Sequence, residues 1–227
     1  MRTSRLIDLS HDITAGMQTY PGLPTPIIED HLSREAALEV YGPGNTFQIG
    51  LVTMCTNTGT YLDVPFHRYA DGHDLTGLVL ARISNVPGVV VRVAPDAGRS
   101  IGPQAFDGVE IAGRAVLVHT GWDRHWRTDQ YFEDHPFLTE AAATRLRDAG
   151  AALVGIDSYN IDDISRATRP VHSMLLGAEI PIVEHMTRLG DLPDRGFRFT
   201  AVPPRIAGMG TFPVRAHARL DPAAAGG

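Results

Sequence analysis

The stretch NTGTYLDVPFH, residues 57–67, is the densest run of polar and chain-directing residues in the sequence. Gly59 permits a close backbone approach or a positive φ angle, and Pro65 ends strand pairing and fixes the chain direction. Asp63 and His67 flank that proline, so a carboxylate and an imidazole share one rigid segment. Such a pair can supply a metal ligand and a general base, or it can form an Asx-type turn beside a surface histidine.

A second group of polar residues follows the apolar run 153–156. Asp157 comes directly after that run, where α/β sheets commonly carry functional side chains. His172 follows, and Glu184 lies in the otherwise apolar stretch IPIVE. A carboxylate in such a stretch is costly unless it is paired or bound to a cation. Glu184 is therefore expected either to pair with an arginine or to hold a metal ion.

Apolar periodicity predicts an α/β domain with a mixed β-sheet and flanking helices. A helix is predicted over residues 139–149, with Thr139 as its N-cap and Gly150 as its stop, and a weaker one near 103–106. One β-α-β crossover is expected, because that helix precedes a strand-like run. Seven short runs are typical of strands, the Val-rich ones being buried on both faces: 6–9, 47–53, 89–93, 115–119, 153–156, 197–202 and 214–218.

Length fits one large globular domain or two small ones, and composition indicates a folded chain. The 227 residues are 43% hydrophobic and 20% charged, which is an ordinary mix for a folded chain. We expect a single domain over residues 1–220 and a flexible tail over 221–227. Residues 19–26, TYPGLPTP, carry three prolines and are expected to form an extended loop.

Charge and residue usage exclude several classes of protein. The net charge is −6 without a strongly basic run, so neither nucleic acid nor a membrane is an expected partner. With no long apolar segment and no apolar signal region, a cytoplasmic protein is expected. All 20 basic residues are Arg, which excludes a Schiff-base lysine and a P-loop. Cys55 is the only cysteine, so no internal disulfide forms, and we expect it to be a core thiol.

The two polar clusters together resemble the cyclase family, whose best-known members are bacterial kynurenine formamidases and isatin hydrolases. The family signature reads H-x-G-T-H-x-D-x-P-x-H, and NTGTYLDVPFH matches it except at the two leading histidines. LIDLSHDITAGMQTYPGLPTP, LVHTGWDRHW and VPPRIAGMGTFPVRAHARL resemble its N-terminal, central and C-terminal parts. The resemblance covers residues 5–220 and implies a swivelling β/β/α-like fold.

The resemblance also implies a pair of divalent ions, usually zinc or manganese. Asp63, His172 and Glu184 match ligand positions of the family, and His67 matches its catalytic position. The family commonly forms oligomers with the active site near the subunit interface. We therefore expect a homodimer or homotetramer that acts on a small-molecule substrate.

Asn57 and Tyr61 stand where the family has its two leading histidines. Asn is a weak neutral donor and Tyr ligates well only as a phenolate, so zinc is not expected at that position. Two alternatives stay open: one divalent ion, manganese or zinc, at the remaining ligands, or no metal. In the metal-free case, Asp63 would orient His67 or a water, and Tyr61 would donate to an oxyanion. Tyr20 aligns with a region lining the family's substrate pocket, and we predict that it binds substrate together with Asn57.

Three functions are consistent with this pattern. The first is hydrolysis of an amide, lactam, lactone or ester bond in a small cyclic or aromatic substrate, with His67 as general base and then acid, assisted by Asp63 and Tyr61. The second is a metal-independent cyclase, dehydratase or isomerase that tailors a biosynthetic intermediate through His67, Tyr61 and Glu184. The third is a non-catalytic small-molecule binder, which the retained polar groups disfavour.

Overall fold

A nine-stranded mixed β-sheet runs through the protein, whose computed structural model describes residues 5–94 and 96–221. In these residues the helices are α1 (Arg34–Tyr41), α2 (Glu140–Asp148) and α3 (Pro170–Gly177). The strands in chain order are β1 (Leu6–Asp8), β2 (Ile27–Leu32), β3 (Ile49–Thr53), β4 (Tyr61–Asp63), β5 (Val86–Arg92), β6 (Ser100–Ile101), β7 (Ala115–His119), β8 (Phe137–Leu138), β9 (Leu153–Ile156), β10 (Ile182–Glu184), β11 (Phe197–Thr200), β12 (Thr211–Pro213) and β13 (His217–Leu220). The large sheet has the order β1-β13-β11-β5-β7-β9-β10-β4-β12.

The centre of the large sheet is parallel and buried on both faces. β5, β7, β9 and β10 run parallel to one another, and antiparallel strands extend the sheet on both sides. In β7, Leu117 packs into the apolar cluster on one face, while Val116 and Val118 pack into the cluster on the other. A strand covered on both sides must be apolar at every position, which is why a continuous apolar run forms it. α2 makes the predicted crossover between β7 and β9.

Most predicted elements are present with shifted ends. α2 begins after Thr139, whose side chain accepts from the Ala142 N–H at 3.2 Å, and Gly150 after it has φ +73°. The weaker helix predicted near 103–106 is a 3₁₀ turn, Pro103–Phe106. The last predicted strand, 214–218, was placed too early, because the chain pairs again only from His217 onward.

The predictions for residues 19–26, for Cys55 and for the C-terminal tail had different outcomes. Residues 19–26 contain neither helix nor strand, as predicted. The prediction of a buried core thiol was wrong, because Cys55 is only half-buried. Of the predicted tail, Asp221 still donates its backbone N–H to Gly196, and residues 222–227 lie outside the described part. Within the described residues, no helix has the length and apolar character needed to cross a membrane.

The polar stretch 57–67 contributes a strand that periodicity did not predict. β4 lies between β10 and β12, pairing antiparallel with both. In this register Tyr61 stands opposite Glu184, and Asp63 stands opposite Thr211. Directly opposite residues on neighbouring strands are close enough for their side chains to interact. The register of three short strands therefore assembles the polar groups described below.

Candidate active site

The predicted site residues meet at one pocket of about 250 Å³. Asp63 lies behind the pocket wall and is fully buried, with its Oδ2 atom 3.8 Å from Nε2 of His172. The structure thus brings all seven predicted residues together, although their roles remain predictions. The residues that line the pocket are Tyr20, Leu23, Asn57, Tyr61, His67, Arg68, Asn160, Arg169, His172 and Glu184.

Glu184 is held by a tyrosine and a backbone amide. The Tyr61 hydroxyl donates to Glu184 Oε2 at 2.7 Å, and the Ile161 N–H donates to Oε1 at 2.6 Å. Burial raises the pKa of Glu184, the charge of Asp63 adds to that rise, and His172 opposes it. Burial and the negative charge of Glu184 raise the pKa of Tyr61 well above its usual value, so the hydroxyl keeps its proton. The alternative in which Glu184 pairs with an arginine was wrong, because among the described residues its carboxylate is bound by Tyr61 and the Ile161 N–H.

His172 is oriented by a carboxylate that the sequence did not single out for this role. Its Nδ1 lies 2.7 Å from Asp162 Oδ2, and Asp162 also accepts the backbone N–H groups of Val171 and His172 at 2.8 and 3.0 Å. A carboxylate accepts only, so the Nδ1 atom carries a proton. The Nε2 atom therefore points at Asp63 and Glu184, at 3.8 and 3.7 Å. This carboxylate–histidine arrangement is the one that typically orients a metal-ligating imidazole.

His67 is connected to Asp63 through a threonine. The Thr211 hydroxyl donates to Asp63 Oδ1. The oxygen of that hydroxyl, Oγ1 of Thr211, lies 2.8 Å from Nδ1 of His67. Since Thr211 has only one proton to give, its oxygen accepts from an Nδ1–H group of His67. That assignment leaves Nε2 of neutral His67 with a free lone pair. The side chain is 34% exposed, so it can reach both the pocket and water.

The geometry fits one cation. Asp63 Oδ2 is buried and has no hydrogen-bond partner among the described residues. It faces His172 Nε2, which also faces Glu184, so two carboxylates and a ring nitrogen converge. Of their oxygens, Oδ2 of Asp63 is the one that still needs a proton or a cation to satisfy it. Burial alone would lower the pKa of His172, but the carboxylates around it raise that pKa to about 10. An oxygen–nitrogen–oxygen donor set suits one manganese or zinc ion.

The pair of ions implied by the family signature does not fit. Tyr61 is fully buried, protonated and already hydrogen-bonded to Glu184, so it offers no phenolate ligand. Asn57 lines the same pocket and supplies only an amide. One ligand atom each of Asp63, His67 and His172 also lie within 4.8 Å of one another. The imidazole of His67 therefore lies beside Asp63 and His172, where it can act on a water held at this position.

Six residues at the site were not predicted from the sequence. Thr211 and Asp162 contact the predicted residues as described, and four others line the pocket: Leu23, Arg68, Asn160 and Arg169. Asp162 lies in the polar loop after β9, and its position in that loop was the one feature of the sequence that could have indicated a role at the site. In contrast, Asp157 lies outside this pocket and accepts from Thr120 and Gly121 in a turn after β7.

The fold and the pocket define an α/β protein with carboxylates and imidazoles gathered at three adjoining strands. The chain belongs to the cyclase family, described as "Putative cyclase", which matches residues 7–163. Kynurenine formamidase of Bacillus cereus is 27% identical to it over 223 residues, covering 95% of this chain and 98% of that protein. Kynurenine formamidase of Bacillus cytotoxicus is 28% identical over 217 residues, with the same coverage.

Solved structures share the fold. Isatin hydrolase A from Labrenzia aggregata, bound to benzyl benzoate, matches with a TM-score of 0.81 at 21% identity, covering 96% of this chain and 94% of that one. A protein described as a potential metal-dependent hydrolase with cyclase activity matches with a TM-score of 0.72 at 24% identity, covering 96% and 98%. The predicted α/β class and mixed sheet are confirmed by this likeness.

Proposed function

We propose that this protein hydrolyses the C–N bond of an amide or lactam in a small cyclic or aromatic substrate. The observation that carries the proposal is the buried, unpartnered Oδ2 of Asp63, which faces His172 beside the free Nε2 of His67. The similarity to kynurenine formamidases over nearly the whole chain supports hydrolysis of an amide. A volume of about 250 Å³ suits a substrate of one or two rings.

Each residue of the pocket has a separate role in the proposed hydrolysis. Asp63, His172 and Glu184 would hold one divalent ion, which when bound polarises a carbonyl and makes water more acidic. His67 takes a proton from the attacking water at Nε2 and returns it to the leaving nitrogen. Thr211 fixes the ring of His67 by accepting its Nδ1–H. The new C–O bond forms first, and the C–N bond then breaks as the nitrogen takes the proton from His67, giving an acid and an amine.

The Tyr61–Glu184 hydrogen bond supports a second candidate, a metal-independent cyclase, dehydratase or isomerase. Its two groups sit at 2.7 Å in the pocket, so they can exchange a proton with a substrate without any ion. In that case His67 acts as the base, and Tyr61 donates to the developing oxyanion.

A substrate panel with and without chelator separates the two candidates. We expect aryl formamides, isatins or lactams to be hydrolysed, the activity to fall to background after chelation, and added Mn²⁺ or Zn²⁺ to restore it. Product release is followed by absorbance and mass spectrometry. Turnover that ignores the chelator and gives a cyclised, dehydrated or isomerised product instead of a hydrolysis product would favour the second candidate and contradict the first.

We further propose that the protein self-associates through an arm formed by β2, α1 and β3, residues 27–53. β2 and β3 form a separate two-stranded sheet whose apolar side chains are exposed on both faces. Such a sheet is marginally stable alone, and an arm of this length matches the ~20–30 residues of one side of a standard interface. A second copy brings the same uncovered surface. The exposed large apolar residues of the arm are Ile27, Ile28, Leu38, Val40, Tyr41, Phe47, Ile49, Leu51 and Val52.

Charges placed on the arm are expected to break the oligomer. Ile28 and Val52 are opposite each other in the register, and both are about half exposed. The double variant Ile28→Glu/Val52→Glu should sediment with the mass of one chain, while the wild type sediments as a dimer or tetramer. Val79→Glu, at an exposed apolar residue outside the arm, is the matched control. A wild-type protein of single-chain mass at micromolar concentration would contradict the proposal.

A further inference from the structure

Asn160 is a buried amide in the wall of the pocket. All four asparagines of the sequence lie in the described part of the chain, and Asn160 is the only one of them that is buried, at 5% exposure. It nevertheless lines the pocket, so its small exposed fraction is turned towards the pocket. A buried amide normally has hydrogen-bond partners for its oxygen and for its nitrogen. Which of these atoms is already bonded therefore decides what Asn160 can offer to a ligand.

The oxygen of this amide is used within the wall. Asp162 donates its backbone N–H to Asn160 Oδ1 at 2.9 Å, which closes a short turn in the loop between β9 and α3. A backbone N–H can only donate, so the bonded atom is the oxygen and the orientation of the amide is fixed. Nδ2 is left without an acceptor among the described residues. It is not one of the fully buried atoms that lack a partner, so its N–H groups are open to the pocket.

The loop that carries Asn160 also holds two ligands of the proposed cation site. The Ile161 N–H donates to Glu184 Oε1 at 2.6 Å. Asp162 orients His172 through the 2.7 Å contact at Nδ1. Asn160 therefore lines the pocket beside Glu184 and His172, and the same loop fixes its position. A donor fixed in this way needs little reorganisation when negative charge develops in front of it.

The residues at the two leading positions of the family signature do not supply this donor. The single proton of the Tyr61 hydroxyl is bound to Glu184. The amide of Asn57 hydrogen-bonds to Tyr61, and this bond opposes the rise in the pKa of Tyr61 that burial causes. Both side chains are thus engaged with one another or with Glu184. The N–H groups of Asn160 are the neutral donors left for a substrate on this side of the pocket.

We infer that Asn160 donates a hydrogen bond through Nδ2 to the carbonyl oxygen of the bond that is cleaved. The inference rests on the proposed hydrolysis and adds a catalytic residue to it. As the water oxygen bonds to the carbonyl carbon, the π electron pair of C=O moves to the carbonyl oxygen, and a proton of the water moves to Nε2 of His67. Asn160 then donates to an oxyanion, which is a stronger acceptor than the neutral carbonyl. When that electron pair returns, the C–N bond breaks and the nitrogen takes the proton.

Asn160→Ser removes the donor and keeps the turn, because a serine hydroxyl can accept the Asp162 N–H as the amide oxygen does. For the amide that the wild type hydrolyses fastest, we expect kcat to fall by about 100-fold and KM to change by less than about fivefold. Asn85→Ser makes the same exchange at an exposed asparagine outside the pocket and should keep the wild-type kcat. Thermal unfolding shows that each variant is folded, and Asn160→Asp, which keeps the oxygen and loses the donor, replaces Asn160→Ser if it is not. A folded variant with the wild-type kcat would overturn the inference.

Exchanging the substrate oxygen for sulfur tests the contact itself. Sulfur is a weaker hydrogen-bond acceptor, so a thioamide gains less from Nδ2 than the amide of the same shape. The ratio of kcat/KM for the amide to that for its thioamide should be smaller in Asn160→Ser by about fivefold or more. A purely structural role would lower both rates alike and leave the ratio unchanged, which would overturn the inference.

Binding of benzamide and thiobenzamide, measured by calorimetry, gives a readout without turnover. The ratio of their dissociation constants should change by about threefold or more between the wild type and Asn160→Ser. An unchanged ratio would overturn the inference even if the wild type hydrolyses amides. A changed ratio without hydrolysis of any amide or lactam of the panel would refute the proposed hydrolysis and leave Asn160 as a residue that binds a carbonyl oxygen.

Discussion

Replacing His67 with alanine is expected to lower kcat by about 100- to 10,000-fold while KM changes far less. The reason is the orientation of its ring: Nδ1 is bound to Thr211 at 2.8 Å, so only Nε2 can take a proton in the pocket. No other imidazole can replace it there, because Nε2 of His172 faces the buried carboxylates. The measurement is steady-state kinetics on whichever amide the wild type hydrolyses. A variant that retains the wild-type kcat would contradict the assignment of His67 as base.

Thr211 supplies the control for this assignment. Thr211→Ser keeps the hydroxyl between His67 and Asp63, whereas Thr211→Val has nearly the same shape and removes it. We expect the valine variant to lose about tenfold or more in kcat and the serine variant to stay close to the wild type. A purely structural role would lower thermal stability in the valine variant and leave kcat of the folded enzyme unchanged. The two variants therefore separate positioning of the base from packing.

Local chemistry along the chain marked one half of the candidate site as a rigid polar segment, and the resemblance to the cyclase family gave its residues their predicted roles. Asp63 and His67 stand in the same short segment, and Gly59 and Pro65 mark it as a place where the chain direction is fixed. The central strands could also be predicted from the sequence, because a strand buried on both faces must be continuously apolar. Predictions that depend on neighbours in sequence were therefore confirmed for β7 and β9. The predicted polar residues line one pocket, except Asp63, which is buried behind it.

The other half depends on strand register, which the sequence does not display. β4, β10 and β12 have three residues each, too few to show an alternating pattern. Tyr61 meets Glu184 and Thr211 meets Asp63 only because β4 pairs with both flanking strands. For the same reason the predicted strand 47–53 was found, but its place in a separate exposed sheet was not predicted.

The Tyr61 hydroxyl stabilises the buried carboxylate of Glu184 from a position where the family signature has a histidine. Glu184 is fully buried at the end of an apolar strand, and without a donor its Oε2 would be unsatisfied. The tyrosine supplies that donor from the directly opposite position on β4. The tyrosine thus keeps Oε2 of Glu184 hydrogen-bonded, as the Ile161 N–H does for Oε1.

Removing the charge of Asp63 is expected to abolish metal binding. Asp63→Asn keeps the shape of the side chain but supplies a neutral amide where the buried Oδ2 faces His172. We expect the affinity for Mn²⁺ or Zn²⁺ to fall by more than about 100-fold and hydrolysis to fall with it. Elemental analysis of untagged protein and titration with Mn²⁺ measure the loss. Near-stoichiometric metal retained by this variant would contradict the proposed cation site.

Asp162 and its chain neighbour Asp163 make a matched pair for the same measurement. Asp162 orients His172 through a 2.7 Å contact at Nδ1, whereas Asp163 accepts from Ser165 in a surface turn. Asp162→Asn should weaken metal binding by about 10- to 100-fold, since the imidazole loses its charged partner. Asp163→Asn makes the same change in net charge and should bind metal as the wild type does. If both variants lose metal equally, the loss reflects overall charge, and the orienting role of Asp162 is refuted. If only Asp162→Asn loses metal, the carboxylate of Asp162 is needed to orient His172 for metal binding.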